Sequence, residues 1–135
     1  MPLRVVGNNE AVFTDIDATF AKNPKDSDVI LAKDSRAIKT AIRNLLATSY
    51  GERLFQPNIG CSLRSLLFEP IDAITTMEIR DRILTTLRNH EPRIESVVVD
   101  VIANPDQNHY IVNVEYSVRA VGDTDRVTVV LERLR

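Results

Sequence analysis

The chain has 135 residues, with 17 Lys and Arg against 19 Asp and Glu, for a formal charge of −2. That length predicts one domain with a core able to stand without cross-links. The slight acidity excludes the basic footprint of a nucleic-acid binder, and four Phe, three Tyr and no Trp leave no stacking platform. One cysteine excludes an internal disulfide and a multi-thiolate metal site within the chain. No apolar run reaches the ~20 residues of a membrane span, and Met1-Pro2-Leu3-Arg4 leads into no signal-peptide core. A small, soluble, intracellularly made domain without a cofactor or membrane partner is expected.

Residues 1–33 read as an extended arm. Asn8-Asn9 and the turn formers from Asn23 to Asp28 bracket Ala11 to Phe20, which has no clear period. Val29-Ile30-Leu31 supplies at most a short strand, and such arms order where they lie on a neighbour. A single domain over 34–135 follows. Asp34 or Ser35 caps a helix whose apolar residues Ile38, Ala41, Ile42, Leu45 and Leu46 share one face, with Lys39 and Arg43 opposite. That helix ends near Thr48. A loop punctuated by Gly51, Pro57 and Gly60 leads to a short helix, Leu63 to Phe68, stopped at Glu69-Pro70. Asp72 caps a second long helix through Met77, Arg80, Ile83, Leu84 and Leu87, ending before Pro92.

Beyond Pro92 the period becomes two. Ser96 to Ala103 is valine-rich, and Asn104-Pro105-Asp106 turns the chain. From His109 to Val121, Val112, Val114, Tyr116 and Val118 face inward, and Asn113, Glu115, Ser117 and Arg119 outward. After a turn at Gly122 to Asp125, Val127, Val129 and Leu131 repeat the alternation. The expected fold is α+β: two layers, with helices packed on a small antiparallel meander.

Chemistry is sparse. Cys61 follows Gly60 in an apolar setting, and His90 and His109 lack the short spacing of a zinc pair. A buried structural thiol is favoured over a nucleophile. No glycine-rich phosphate loop is present. Glu69, Glu91 and Glu95 are candidates for a glycosidase pair, which needs carboxyl groups about 5–9.5 Å apart. With no tryptophan to hold a sugar ring, ion pairing or partner docking is the favoured role for them.

Two stretches are more specific. Gly51 to Leu63, continuing through Leu67-Phe68-Glu69-Pro70, is a loop stiffened by Gly and Pro, with Phe55 and Ile59 expected to anchor it to the core. It presents Arg53 either to a partner or to a carboxylate within the domain, the internal role being preferred. In Glu91-Pro92-Arg93-Ile94, proline stops a helix and begins a strand, sending a carboxylate and a guanidinium off the corner; a local salt bridge is the plainer reading.

Together these stretches resemble the small baseplate wedge proteins of contractile-tailed bacteriophages, a family shared with the type VI secretion baseplate. The pattern is carried by Gly51, Arg53, Phe55, Pro57, Gly60, Cys61 and Leu63, then Leu67-Phe68-Glu69 and Glu91-Pro92-Arg93, across residues 33–135. The resemblance implies a structural subunit without catalytic, metal or cofactor residues. Such a subunit is expected in the virion's tail baseplate after synthesis in the host cytoplasm. By the same resemblance Glu91, Pro92 and Arg93 are expected to dock on the helical core bundle of larger wedge subunits. Arg53 and Glu69 are further candidates for partner docking, tube or hub neighbours are expected beyond, and no stable homo-oligomer is expected alone. A sheath-facing strand, Val127, Val129, Val130 and Leu131 or its neighbour, starts the tail sheath by strand addition. The alternatives are a lysozyme-like hydrolase of peptidoglycan and the equivalent type VI secretion subunit.

Overall fold

The computed structural model describes residues 14–16, 31–33, 35–119 and 122–134. The chain divides into two compact units, Met1–Ala37 and Ile38–Arg135. In the first, strand β1 (Thr14–Ile16) pairs antiparallel with β2 (Leu31–Lys33). The rest of the expected arm, and Asp34 as a cap, lie outside the described residues.

Helix α1 spans Ser35–Ala47 and buries Ile38, Ile42, Leu45 and Leu46, the stripe that the three-and-four spacing predicts. A 3-10 helix covers Leu63–Phe68 and buries Leu63 and Leu66. Helix α2 spans Ala73–His90. Asp72 caps it as expected: its Oδ1 accepts the Thr75 N–H at 2.7 Å. Ile79, Ile83 and Leu87 are fully buried along α2, each worth about 1.5–3 kcal/mol of apolar burial. Ile74 and Met77 instead face outward, 73% and 63% exposed.

Strands β3 (Ile94–Asn104), β4 (His109–Val118) and β5 (Thr124–Glu132) form an antiparallel meander in the order β3-β4-β5. The α+β expectation is met. Along β4, Tyr110, Val112, Val114, Tyr116 and Val118 are buried, and the intervening residues face out. α2 packs along β3, and Lys39 of α1 reaches Asp125 at the start of β5 at 2.8 Å. Val127 is buried inside β5, while Val130 is 57% exposed on the outer face.

The loop between α1 and the 3-10 helix is stitched by its own backbone. Gly51 N–H donates to the Pro57 carbonyl at 2.8 Å, and Cys61 N–H to the Thr48 carbonyl at 2.9 Å. That second bond brings the chain so close that a Cβ on Gly60 would lie 2.7 Å from the Thr48 oxygen, with φ at +145°. Only glycine fits there.

Gly60→Ala is therefore expected to lower stability by about 1–3 kcal/mol in denaturant unfolding, through forced backbone movement. The Asp72 cap gives a pH signature. Hydrogen bonds from Thr75 hold its carboxyl below the ordinary range, so its stabilisation is present above that range and lost as pH falls through the lowered value. Between about pH 5 and pH 3 the wild-type Tm should fall more steeply than that of Asp72→Asn, which keeps a capping oxygen without the titration.

Candidate functional site

α2 stops because Pro92 cannot continue a helix and pushes the residue before it out of the helical region. Glu91 N–H makes the last helical bond, to the Leu87 carbonyl at 3.0 Å, and Glu91 itself turns extended (φ −123°, ψ 84°). Its carboxylate reaches forward to Arg93, two residues on. Oε1 accepts from Arg93 Nε at 2.7 Å and from the Arg93 backbone N–H at 3.3 Å, and Oε2 accepts from Nη2 at 2.7 Å. This is a two-pronged fork, the strongest common geometry for this pair.

Burial raises the stakes of that fork. The Glu91 side chain is 4% exposed and that of Arg93 is 20% exposed. Arg93 also uses its carbonyl to accept the Arg119 N–H at 2.9 Å, tying the corner to the chain that leaves β4. The two charges do not project separately from the corner; the plainer reading, a local salt bridge, describes what the backbone builds. Outward, the corner presents exposed Pro92 and the uncovered part of the guanidinium.

The loop departs from expectation at its tip. Phe55 is 99% exposed rather than anchored, and Ile59 is only half-buried. Two backbone bonds across the tip, not an apolar anchor, hold it: Gln56 N–H to the Arg53 carbonyl at 3.3 Å and Ile59 N–H to the Gln56 carbonyl at 3.2 Å. Arg53 is exposed and has no carboxylate partner among the described residues, so the internal role preferred for it from sequence is not what the fold builds. Residues the sequence did not single out brace the loop instead. Glu52 Oε2 accepts the Ser49 N–H at 3.0 Å, Ser62 Oγ accepts the Tyr50 N–H at 2.8 Å, and Arg82 Nη1 donates to the Ser62 carbonyl at 3.1 Å.

Cys61 is fully buried at the loop's base, and burial pushes its thiol pKa up despite the Thr86 hydroxyl and the charge of Arg82. That is the environment of an inert structural thiol. Among the described residues no group of three or more His, Cys, Asp and Glu is placed to hold a metal, and no helix is long and apolar enough to cross a membrane.

Glu69 is exposed just after the 3-10 helix. Its carbonyl accepts from Arg133 Nε at 3.2 Å, and the Leu67 carbonyl accepts the Leu134 N–H at 2.9 Å, so the chain beyond β5 lies on this segment. One surface depression, about 350 Å³, runs between Tyr50 and the Glu78–Thr86 stretch of α2. Another, about 180 Å³, lies on the outer sheet face beside Val98, Glu115 and Arg126. Neither includes Glu69, Glu91 or Glu95.

The sheet order places β4 in the centre, so it is not available for strand addition, whereas β5 has one hydrogen-bonded neighbour among the described residues. The phase of the β4–β5 ladder follows from its two ends. Val118 N–H donates to the Asp123 carbonyl at 3.0 Å, and Arg133 N–H to the Asn108 carbonyl at 2.8 Å. Antiparallel pairs alternate, so Val127, Val129 and Leu131 bond to β4, whereas Arg126, Thr128 and Val130 point their backbone groups away from it.

Known proteins share this architecture. The model of the family described as baseplate wedge protein gp25 matches residues 32–123. Baseplate wedge protein gp25 of Enterobacteria phage T4 is 33% identical over 113 residues, covering 84% of this chain and 85% of that one. A putative tail lysozyme from Geobacter sulfurreducens shares the fold with a TM-score of 0.69 at 25% identity, over 79% of this chain and 97% of that one. A subunit of the anti-feeding prophage baseplate aligns with a TM-score of 0.57 at 19% identity, over 91% of this chain and 87% of that one. One from the type VI secretion baseplate complex aligns at 0.56 and 13%, over 71% and 92%. With more than half its length matched by the family model, and with the helix-to-strand corner and strands β3 and β4 inside that match, this chain belongs to the baseplate wedge protein gp25 family.

Proposed function

We propose that this protein is a non-enzymatic structural subunit of a contractile-tail baseplate, docking through the Glu91-Pro92-Arg93 corner and offering β5 to the tail sheath. The observation that carries the reading is the family match over residues 32–123, which contains the corner and strands β3 and β4; the role of β5 rests on its place at the sheet edge. The partner at the corner is the helical core bundle of larger wedge subunits. The exposed charges of Arg53 and Glu69 are further contacts, with tube or hub neighbours beyond. The subunit is made in the host cytoplasm and resides in the tail baseplate, with residues 1–33 as an N-terminal arm and 34–135 as the wedge domain. Similar folds in an anti-feeding prophage and a type VI secretion baseplate support the same role in any contractile injection system.

Two physical arguments support docking over hydrolysis. A glycosidase acid must donate a proton to the leaving oxygen. Both oxygens of Glu91 are committed to one guanidinium, and Glu69 stands exposed without an ion-pair partner among the described residues. The fork instead suits recognition. Its members are already desolvated and oriented, so a partner closing over Pro92 and the guanidinium meets a rigid surface.

For β5, Val127 to Leu131 is an uncharged run of five. Its outward N–H and carbonyl groups at Thr128 and Val130 are set to pair with an added strand. Arg126, Glu132 and Arg133 around it oppose self-pairing of free subunits.

Removing Arg93 alone leaves a buried carboxylate unpaired, so Arg93→Ala should destabilise the isolated domain by about 3 kcal/mol and confound any assembly assay. The informative variant is Glu91→Leu with Arg93→Met, which replaces the pair with apolar side chains of similar volume. It should unfold near the wild-type denaturant midpoint yet be absent from sedimented baseplates; normal incorporation of this folded variant would remove the corner as the docking site. Val130→Pro deletes one outward donor without touching the β4 ladder. Baseplates carrying it should assemble but grow no sheath, as scored by electron microscopy, and full-length sheath would rule out this edge.

A further inference from the structure

The tip of the loop between α1 and the 3-10 helix carries a feature that folding does not explain. Leu54 and Phe55 are 86% and 99% exposed. Phe55 also holds φ at +66°, the left-handed region that a bulky aromatic adopts only when its surroundings impose it. A ring fully in water contributes no burial to offset that strain. The tip is nonetheless held rigidly: Gly51 is bonded to Pro57, Gln56 to Arg53 and Ile59 to Gln56.

Charge narrows what the tip can meet. Glu52 is turned inward onto the Ser49 N–H, which leaves Arg53 as the charged side chain beside the apolar pair. Arg53 is exposed and has no ion-pair partner among the described residues. Two exposed apolar side chains on a hydrogen-bonded backbone, flanked by one cation, complement an apolar socket with a carboxylate on its rim. A lipid surface fits less well, because stable anchoring there takes a larger apolar face or a cluster of cations.

We infer that Arg53-Leu54-Phe55 is a preorganised plug. Leu54 and Phe55 enter an apolar socket on a neighbouring polypeptide of the assembly, and Arg53 pairs with a carboxylate at the socket's edge. An aromatic side chain with few rotatable bonds, on a backbone already held in place, loses little conformational freedom on binding, and aromatic residues are enriched at interface hot spots. The inference rests on the baseplate reading for its setting and names a contact separate from the Glu91-Pro92-Arg93 corner.

The test replaces the only copy of the chain in tail-producing cells with Phe55→Gly, Phe55→Asn, Phe55→Trp or Arg53→Glu. Incorporation into sedimented tail particles is then quantified, alongside the Tm of each purified chain. Glycine and asparagine both accept a positive φ, so their Tm should stay level or rise by up to about 4 °C. Both should enter particles about tenfold less than wild type, corresponding to ~1.4 kcal/mol of lost contact. Phe55→Trp should restore entry, and Arg53→Glu should lower it without lowering Tm. Wild-type incorporation of Phe55→Gly would overturn the plug while leaving the baseplate reading intact. A Tm loss in both Phe55→Gly and Phe55→Asn would overturn it by showing a structural role for the ring. Phe55-dependent co-sedimentation of the wild-type chain with anionic phospholipid vesicles would overturn it in favour of a lipid surface. Absence of the wild-type chain from tail particles would overturn the baseplate reading and the plug with it.

Discussion

The fork between Glu91 and Arg93 sits where α2 becomes β3, and the geometry of the sheet relative to that helix depends on it. Residues two apart do not face each other in a helix, and in a strand they are spaced along one face. Only the bend imposed by Pro92 lets the carboxylate close on the guanidinium with both bonds at 2.7 Å. Because the Arg93 carbonyl also accepts the Arg119 N–H, the same corner fixes the far end of the β3–β4 pair. A buried ion pair is weak evidence for net stability, since desolvation cancels most of the attraction. Its larger effect is on uniqueness: a misplaced corner would leave the Glu91 charge buried and unpaired.

From that corner the meander runs outward to β5, where the ladder's phase gives the edge its chemistry. Tyr110, Val112, Val114, Tyr116 and Val118 bury the inner face, and their backbone groups pair with β5. The residues of β5 that present backbone to the open side are therefore those whose side chains lie on the outer face. One alternation thus assigns both properties. At one end of that face Ile102, Ile111 and Val130 align across the three strands, while Glu115 pairs with Arg126 further along. A strand added beyond β5 would continue an apolar row and a charged row already in register.

How much of this was legible in the sequence follows from the range of the interactions involved. The 3-10 helix over Leu63–Phe68, the Asp72 cap and the alternation of β4 are local, set by residues a few positions apart, and they read correctly. Phe55 read wrongly because apolarity is normally a proxy for burial, and only the positive φ and the backbone-stitched loop reveal an aromatic held in solvent. Arg53, expected to meet a carboxylate within the domain, does not, because its adjacent acidic residue Glu52 is taken up by the Ser49 amide. The closure of Glu91 on Arg93 was half legible. Proline announced the corner, but whether the charges diverge or meet depends on the backbone angles of Glu91. The meander expected from three strands joined by short turns already implies the order β3-β4-β5, whereas the ladder phase, and with it the backbone groups that β5 leaves open, follows only from the pairing itself.

The central claim is that the corner is already closed on itself in the free subunit, so that a partner meets a finished surface. It is tested most directly by the side-chain Nε–H resonance of Arg93 in the isolated, nitrogen-15-labelled protein. The account predicts a resolved signal, slow to exchange with water and shifted from the envelope of exposed arginines, which collapses into that envelope in Glu91→Gln. An Arg93 signal that exchanges as fast as that of Arg53, or that is indifferent to Glu91→Gln, would contradict it.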